Sequence, residues 1–302
     1  MSLPDLTDAE RASAEYLVDL AMTEDLGTRG DVTTEALVAE SEWGVVDLVA
    51  RETGTIAGGV LLPIVFAKLD GRVRIQIDVP EGGRVVRGVR VARIEGPLRA
   101  LLTGERTALN FLLRLSGIAT QTRLFVDRVA GTCAGIFDTR KTLPGWRLLD
   151  KYAVRAGGGK NHRIGLYDQI LIKDNHLAGW HASGAGHSIP EAIRRARTAA
   201  PGMIVEVEVD TLEQLRAALS AHPDIILLDN MNTETLSQSV ALRNTLAPEV
   251  ELEASGGVSL ATVSAIARTG VERISVGAVT HSATALDLAF DWGIDGHRPN
   301  DP

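Results

Sequence analysis

Ile204-Val205-Glu206-Val207-Glu208-Val209-Asp210 alternates strictly between aliphatic and acidic side chains. A period of two is that of a β-strand, so the valines fall on one face and the three acids on the other. Acids on an inner face are costly unless they meet a cation, a base or hydroxyl groups. If the valines pack against helices, the acids point toward a common axis, as in a β/α barrel. Glu208 lies nearer the C-terminal rim than Glu206 and is the better candidate for ligand contact. Pairing with basic residues elsewhere in the chain is the plain alternative, and both can hold together.

Similar short runs recur on either side, at Gly135 to Phe137, Gln169 to Ile172, Ile225 to Leu228, Val250 to Leu252 and Arg273 to Val276. Helical stretches separate them, which indicates parallel βαβ units. A doubly wound sheet is the competing architecture. A barrel is preferred because each run ends in a polar or Gly residue that can converge at one rim, where barrels carry their active sites. The rim series is Asp138/Arg140/Lys141, Lys173/Asp174, Glu208/Asp210, Asp229, Ser255-Gly256-Gly257 and Gly277. Ser255-Gly256-Gly257, ahead of a helix expected near Ser259, suits a phosphate, because glycines let backbone N–H groups approach it. Gly277-Ala278-Val279-Thr280-His281 repeats the pattern one unit later. The arrangement calls for a ligand with a terminal phosphate, a sugar or metal ion facing Glu208 and Asp229, and a second anionic part.

The anionic part is indicated by the stretch Asp138 to His176. It holds eight Lys and Arg against four Asp, a balance of +4 in a chain of −8. A basic island in an acidic protein points to a locally bound anion rather than to nucleic acid. Arg147, Lys151 and Arg155, four apart, have the spacing of a helix's solvent face. Arg140-Lys141, Lys160 to Arg163 and Lys173 instead end apolar runs or sit in Gly-rich turns.

The first third reads differently. Thr7-Asp8-Ala9-Glu10 is a capping box, opening a helix with Leu17, Leu20 and Ala21 on one face and Gly27 as its stop. Gly30 to Thr34 reads as a turn. Gly44 to Arg51, Arg72 to Val79 and Val85 to Ile94 alternate like strands, with a short helix over Val60 to Leu69. From Pro97 the pattern turns helical, with Arg106 on that segment.

The N-terminus has no basic segment followed by an apolar one, so no signal peptide is expected, and no apolar run is long enough to span a bilayer. The single cysteine, Cys133, excludes an internal disulfide, fits a reducing cytoplasm and is expected to be a buried structural thiol. His176 to His187 is longer than a strand-to-helix connection needs and is expected to be a polar loop, a lid at the rim rather than a metal site on His181 and His187.

Several of these stretches together resemble quinolinate phosphoribosyltransferases. They are Glu24-Asp25-Leu26-Gly27 with Gly30 to Thr34, Glu105 to Asn110, DTRKTLPGWR, GGGKNHRIGLYDQILIKDNH, EVEVDTLEQL, DIILLDN, SGGVS and VGAVTHS. The resemblance implies an N-terminal α/β sandwich domain (1–112, completed by 282–302) plus an incomplete, about seven-stranded β/α barrel (113–281). It implies a cytoplasmic enzyme of NAD biosynthesis that uses Mg²⁺ and transfers phosphoribosyl from phosphoribosyl pyrophosphate (PRPP) to quinolinate with loss of CO₂. By motif position, Arg140, His162, Arg163 and Lys173 would hold quinolinate, with Lys141 near both substrates and a candidate proton donor. Arg106 would reach the neighbouring subunit's site in a homodimer or larger homo-oligomer. Glu208 and Asp229 would meet the ribose and Mg²⁺. Ser255, Gly256, Gly257, Gly277 and His281 would bind the 5′-phosphate. The alternatives are a phosphoribosyltransferase for another acceptor, a barrel lyase using Lys173 as a Schiff-base nucleophile, with Asp174 and Asp229 opposing this by keeping it charged, and a non-catalytic binder of phosphoribosyl pyrophosphate.

Overall fold

The computed structural model describes residues 6–182 and 188–292. In chain order its strands are β1 (Trp43–Ala50), β2 (Gly54–Thr55), β3 (Arg74–Ile77), β4 (Arg84–Val85), β5 (Arg90–Pro97), β6 (Gly135–Phe137), β7 (Ile170–Ile172), β8 (Val205–Val209), β9 (Ile225–Asp229), β10 (Glu251–Ser255), β11 (Arg273–Ser275) and β12 (Leu288–Trp292). The described residues divide into two compact units. One comprises 6–123, 142–158 and 279–292; the other comprises 124–141, 159–182 and 188–278.

The first unit is built on an antiparallel sheet of order β12-β1-β5-β3. β1 takes partners on both edges, pairing Val46 with Ile94 on one side and Trp292 on the other. Inside the sheet Asp47 is fully buried and accepts two bonds from Arg93, at 2.8 and 3.0 Å. The pair satisfies a charge that would otherwise be costly there. The helix Asp8–Leu26 begins at the expected capping box, Thr7 with Glu10, and ends at Gly27. Its inner face is Ala14, Leu17, Val18 and Met22; Leu20 is exposed, one position off the buried stripe. Gly30 to Thr34 is not a simple turn, because Asp31 caps a short helix, Val32–Leu37, by accepting from Thr34 N–H. Nor is the series Arg147, Lys151, Arg155 a solvated face. On the helix Arg147–Ala156, Lys151 is buried and the two arginines are half-buried. Arg155 donates to Glu10 at 2.7 Å, and Arg114 forks onto the buried Asp150 of the same helix. Arg155 is thus held inward by an acid far away in sequence, while Arg147 donates to the nearby Thr142 hydroxyl at 3.1 Å.

The second unit is a parallel sheet of order β6-β11-β10-β9-β8-β7. Its first strand lies beside its last, as when a barrel is closed, and the opening falls between β6 and β7. A doubly wound sheet would instead reverse its strand order from a central switch point. Among the described residues six strands are present rather than about seven; an isolated parallel bridge from Phe137 to Lys160 extends the free edge of β6. On β8, Val205, Val207 and Val209 are at most 1% exposed. Burial of each valine contributes roughly 1.5–3 kcal/mol, which fixes the alternation and turns the acids to the other side. Cys133 is exposed rather than buried, since it precedes β6 in a surface turn. Residues 174–182 form a helix, not a loop, and 183–187 lie outside the described residues. No described helix is long and apolar enough to cross a membrane.

Candidate active site

The C-terminal ends of the parallel strands bring the second unit's rim residues together. Lys173 follows β7, and its Nζ donates to Glu208 Oε2 on neighbouring β8 at 2.7 Å. The lysine side chain is 41% exposed, so it is both solvated and paired with an acid. A Schiff-base lyase needs a desolvated lysine, and this one is solvated and held by a carboxylate. The acid responsible is Glu208, not the expected Asp174 or Asp229.

One strand further, β9 ends at Asp229 and β10 at Ser255, which are register partners. Asn230 ties them: its N–H donates to Ser255 O at 2.9 Å and its side-chain amide donates to Asp229 Oδ2 at 2.7 Å. Asn230 has φ 52°, a left-handed conformation that asparagine tolerates. Gly256 and Gly257 follow with φ of 93° and 60°. A Cβ on Gly256 would lie 2.9 Å from Asn230 N, so only glycine fits without moving the β9 end. The following helix starts at Val263, after a Ser259–Thr262 turn, and not near Ser259. Gly277 stands after β11, half-exposed.

Across the opening, β6 leads to Asp138, Arg140 and Lys141. Asp138 is fully buried, and its carboxylate accepts from His162 N–H at 2.8 Å and from the Asn161 side chain at 2.6 Å. This clamps the segment carrying His162 and Arg163 onto the end of β6. Arg163 donates to Gln169 O at 3.2 Å. Its pKa is lowered first by burial and then by the neighbouring Arg140 cation. The Arg140 Nε is itself buried without a hydrogen-bond partner. Two guanidiniums thus feel each other's charge, an arrangement that an anion would relieve.

Beneath them lies a group not foreseen as a unit. His162 Nε2 is 3.1 Å from Glu206 Oε2 and 3.4 Å from Glu253 Oε1, and both acids are fully buried. Gln169 donates to Glu206 at 2.6 Å and Arg273 to Glu253 at 2.7 Å. Burial pushes the Glu206 carboxyl up. Burial also opposes a charged His162, but its hydrogen bonds to Glu206 and Glu253 outweigh this and lift its pKa to about 9. Arg106 and His281 belong to the first unit, both exposed; Arg106 lies on the helix Leu98–Arg128. Asn230, Glu253 and Gln169 were missed in the sequence. Glu251-Leu252-Glu253 carries the same acid–aliphatic alternation as β8, which could have flagged Glu253.

The sequence matches the family descriptions "Quinolinate phosphoribosyl transferase, N-terminal domain" over residues 31–116 and "C-terminal domain" over 118–291. It is 45% identical over 288 residues to the nicotinate-nucleotide pyrophosphorylase [carboxylating] of Mycobacterium leprae, covering 95% of this chain and 99% of the relative. A probable enzyme of the same name from Bacillus subtilis is 44% identical over 269 residues, 89% of each chain. The solved nicotinate-nucleotide pyrophosphorylase of Francisella tularensis superposes with a TM-score of 0.86 at 36% identity, covering 96% of this chain and all of the other. The chain belongs to the quinolinate phosphoribosyl transferase family.

Proposed function

We propose that the chain is a nicotinate-nucleotide pyrophosphorylase (carboxylating), joining quinolinate to the phosphoribosyl group of PRPP with release of pyrophosphate and CO₂. The observation that carries this reading is the Arg140–Arg163 juxtaposition, in which a buried Nε lacks a partner and Arg163 feels its neighbour's charge. Like charges held together favour a ligand with more than one negative charge. Quinolinate brings two carboxylates, whereas nicotinate brings one. Lys173 completes this cationic side.

Glu208 and Asp229, on neighbouring strands β8 and β9, face the ribose hydroxyls in this reading. Their oxygens are hard donors, both half-exposed. Mg²⁺ takes one or two carboxylates together with substrate phosphates and waters, so the donor set fits that ion. Lys173 already occupies one oxygen of Glu208, which suits contact through water. When bound, the ion would neutralise charge on the leaving pyrophosphate. Ser255, Gly256, Gly257, Gly277 and His281 hold the 5′-phosphate, the glycines by leaving room for main-chain N–H groups. Arg106 is assigned to the neighbouring copy's site, which makes a homodimer the smallest active unit.

With both substrates held in line, the C1–oxygen bond to pyrophosphate breaks and the pyridine nitrogen bonds to C1. The resulting pyridinium stabilises the electron pair left at C2 when the adjacent carboxylate departs as CO₂. A proton must then reach C2, and Lys141 is the candidate donor. The chain's contribution is alignment and fixed positive charge, with no covalent enzyme intermediate.

Calorimetric titration tests the acceptor assignment. Quinolinate should bind more tightly than nicotinate, and Arg140→Ala should remove most of the difference. Equal affinities for the two would defeat the reading.

A further inference from the structure

Among the described residues two non-glycine positions have a left-handed backbone, His222 and Asn230. His222 follows the last turn of the helix Leu212–Leu219, where chains commonly reverse. Asn230 ends no helix; it lies between β9 and the helix Thr233–Leu246, at the rim. Strain kept at such a place marks a constraint that the surroundings impose. We propose that Asn230 is a positioning residue for phosphoribosyl transfer, locking the Asp229 carboxylate and the Ser255-Gly256 turn into one rigid unit and so fixing the spacing between the ribose and 5′-phosphate positions of PRPP. The identity of that ligand rests on the function proposed above; the lock itself does not.

Three contacts make the lock. Asn230 N–H donates to Ser255 O at 2.9 Å, continuing the β9–β10 ladder past its last register pair, Asp229 with Ser255. The side chain then folds back, and Nδ2 donates to Asp229 Oδ2 at 2.7 Å. The same amide packs on Gly256, where an added Cβ would stand 2.6 Å from Asn230 Cγ. A carboxylate with one oxygen held this way has little freedom to rotate, and Oδ1 remains for a ribose hydroxyl or a hydrated ion. A shift of the phosphate turn would push the amide, and with it the carboxylate.

The path of the chain beyond Asn230 is held by other groups. Asn232 caps the next helix by accepting from Thr235 N–H at 2.9 Å, and Met231 Sδ accepts from Ser239 Oγ at 3.7 Å. Removing the Asn230 amide therefore leaves the backbone in place and frees the two groups it joins. The residue type follows from the same geometry. Glycine suits the left-handed backbone best but offers no side-chain donor. Aspartate tolerates that backbone too, but would set a second carboxylate against Asp229. Asparagine combines the tolerance with an N–H that reaches the preceding side chain.

The test compares the full chain with Asn230→Gly and Asn230→Asp. Calorimetry follows PRPP binding with Mg²⁺ present, both alone and with phthalate, a dicarboxylate without the attacking nitrogen, so that no turnover is needed. Asn230→Gly should weaken PRPP about tenfold, leave quinolinate affinity unchanged and keep Tm within about 2 °C of the parent. Asn230→Asp should weaken PRPP further, through repulsion from Asp229. Unchanged PRPP affinity in Asn230→Gly would overturn the proposal whatever Asn230→Asp does. So would a loss that comes with a large fall in Tm, the sign of a residue that serves folding alone. Should Asn230→Asp not fold, Asn230→Gly decides the matter. A parent protein that binds PRPP in neither condition would instead sink the function proposed above.

Discussion

Asp138→Asn probes the join between the end of β6 and the segment that carries the cations. The carboxylate is fully buried and accepts two bonds, from His162 N–H at 2.8 Å and from the Asn161 amide at 2.6 Å. An asparagine can keep one acceptor, but its NH₂ must then oppose the other donor. Hydrogen bonds to a charged group contribute about 1.5–3 kcal/mol, and one of the two is lost outright. The expected cost is therefore about 2–3 kcal/mol, or a fall in Tm of roughly 3–5 °C for a chain of this size. The displaced turn also carries Arg163, so KM for quinolinate should rise about tenfold while KM for PRPP changes little. Thermal unfolding followed by circular dichroism and steady-state rates with each substrate varied measure both quantities. A variant with Tm within about 1 °C of the parent and an unchanged quinolinate KM would refute the claim that Asp138 holds the cationic segment in place.

Further outcomes follow from other contacts. Gly256→Ala forces a Cβ to within 2.9 Å of Asn230 N and should raise KM for PRPP at least tenfold, read from initial rates at saturating quinolinate. Gly257 has open space around it, so alanine there costs only about 1 kcal/mol of left-handed strain, measurable by urea titration. A large rise in PRPP KM at 257 would then report direct contact with phosphate. Lys173→Met should raise KM for quinolinate about 10- to 100-fold, from the loss of about 1.5–3 kcal/mol of charged hydrogen bonding. Borohydride with a carbonyl compound should leave Lys173 of the parent protein unmodified. Asp31→Ala removes a helix cap worth about 1 kcal/mol. Its bond from Thr34 lowers the Asp31 pKa below 3.8, so this stability is present above 3.8 and is lost as pH falls through the lowered value. The gap between parent and variant in urea titrations should close in that acid range, and a gap that widened there would contradict the capping role.

What could be seen in the chain beforehand was local. The β8 alternation needs only neighbouring residues, and it correctly turned the valines to the core and the acids to the other side. The Gly256-Gly257 turn after a strand was equally local, as was the Thr7–Glu10 box. What escaped was set by partners distant in sequence. Lys151 carries the spacing of a surface lysine yet is buried. Glu253 became a partner of His162 only because β10 and the turn after Lys160 converge. Asn230 gave one hint, an asparagine directly after a strand-end acid, but its bond to Ser255 depends on the register of β9 and β10. Nothing in residue spacing singles out Arg106; its proposed role rests on family resemblance alone.

The central claim is that the paired guanidiniums select a dianionic acceptor for phosphoribosyl transfer with decarboxylation. The most direct measurement incubates the purified protein with PRPP, Mg²⁺ and either quinolinate or nicotinate, following nicotinate mononucleotide and CO₂ together. The account predicts equal amounts of both products from quinolinate and little mononucleotide from nicotinate. Efficient use of nicotinate, or mononucleotide formed from quinolinate without matching CO₂, would contradict it.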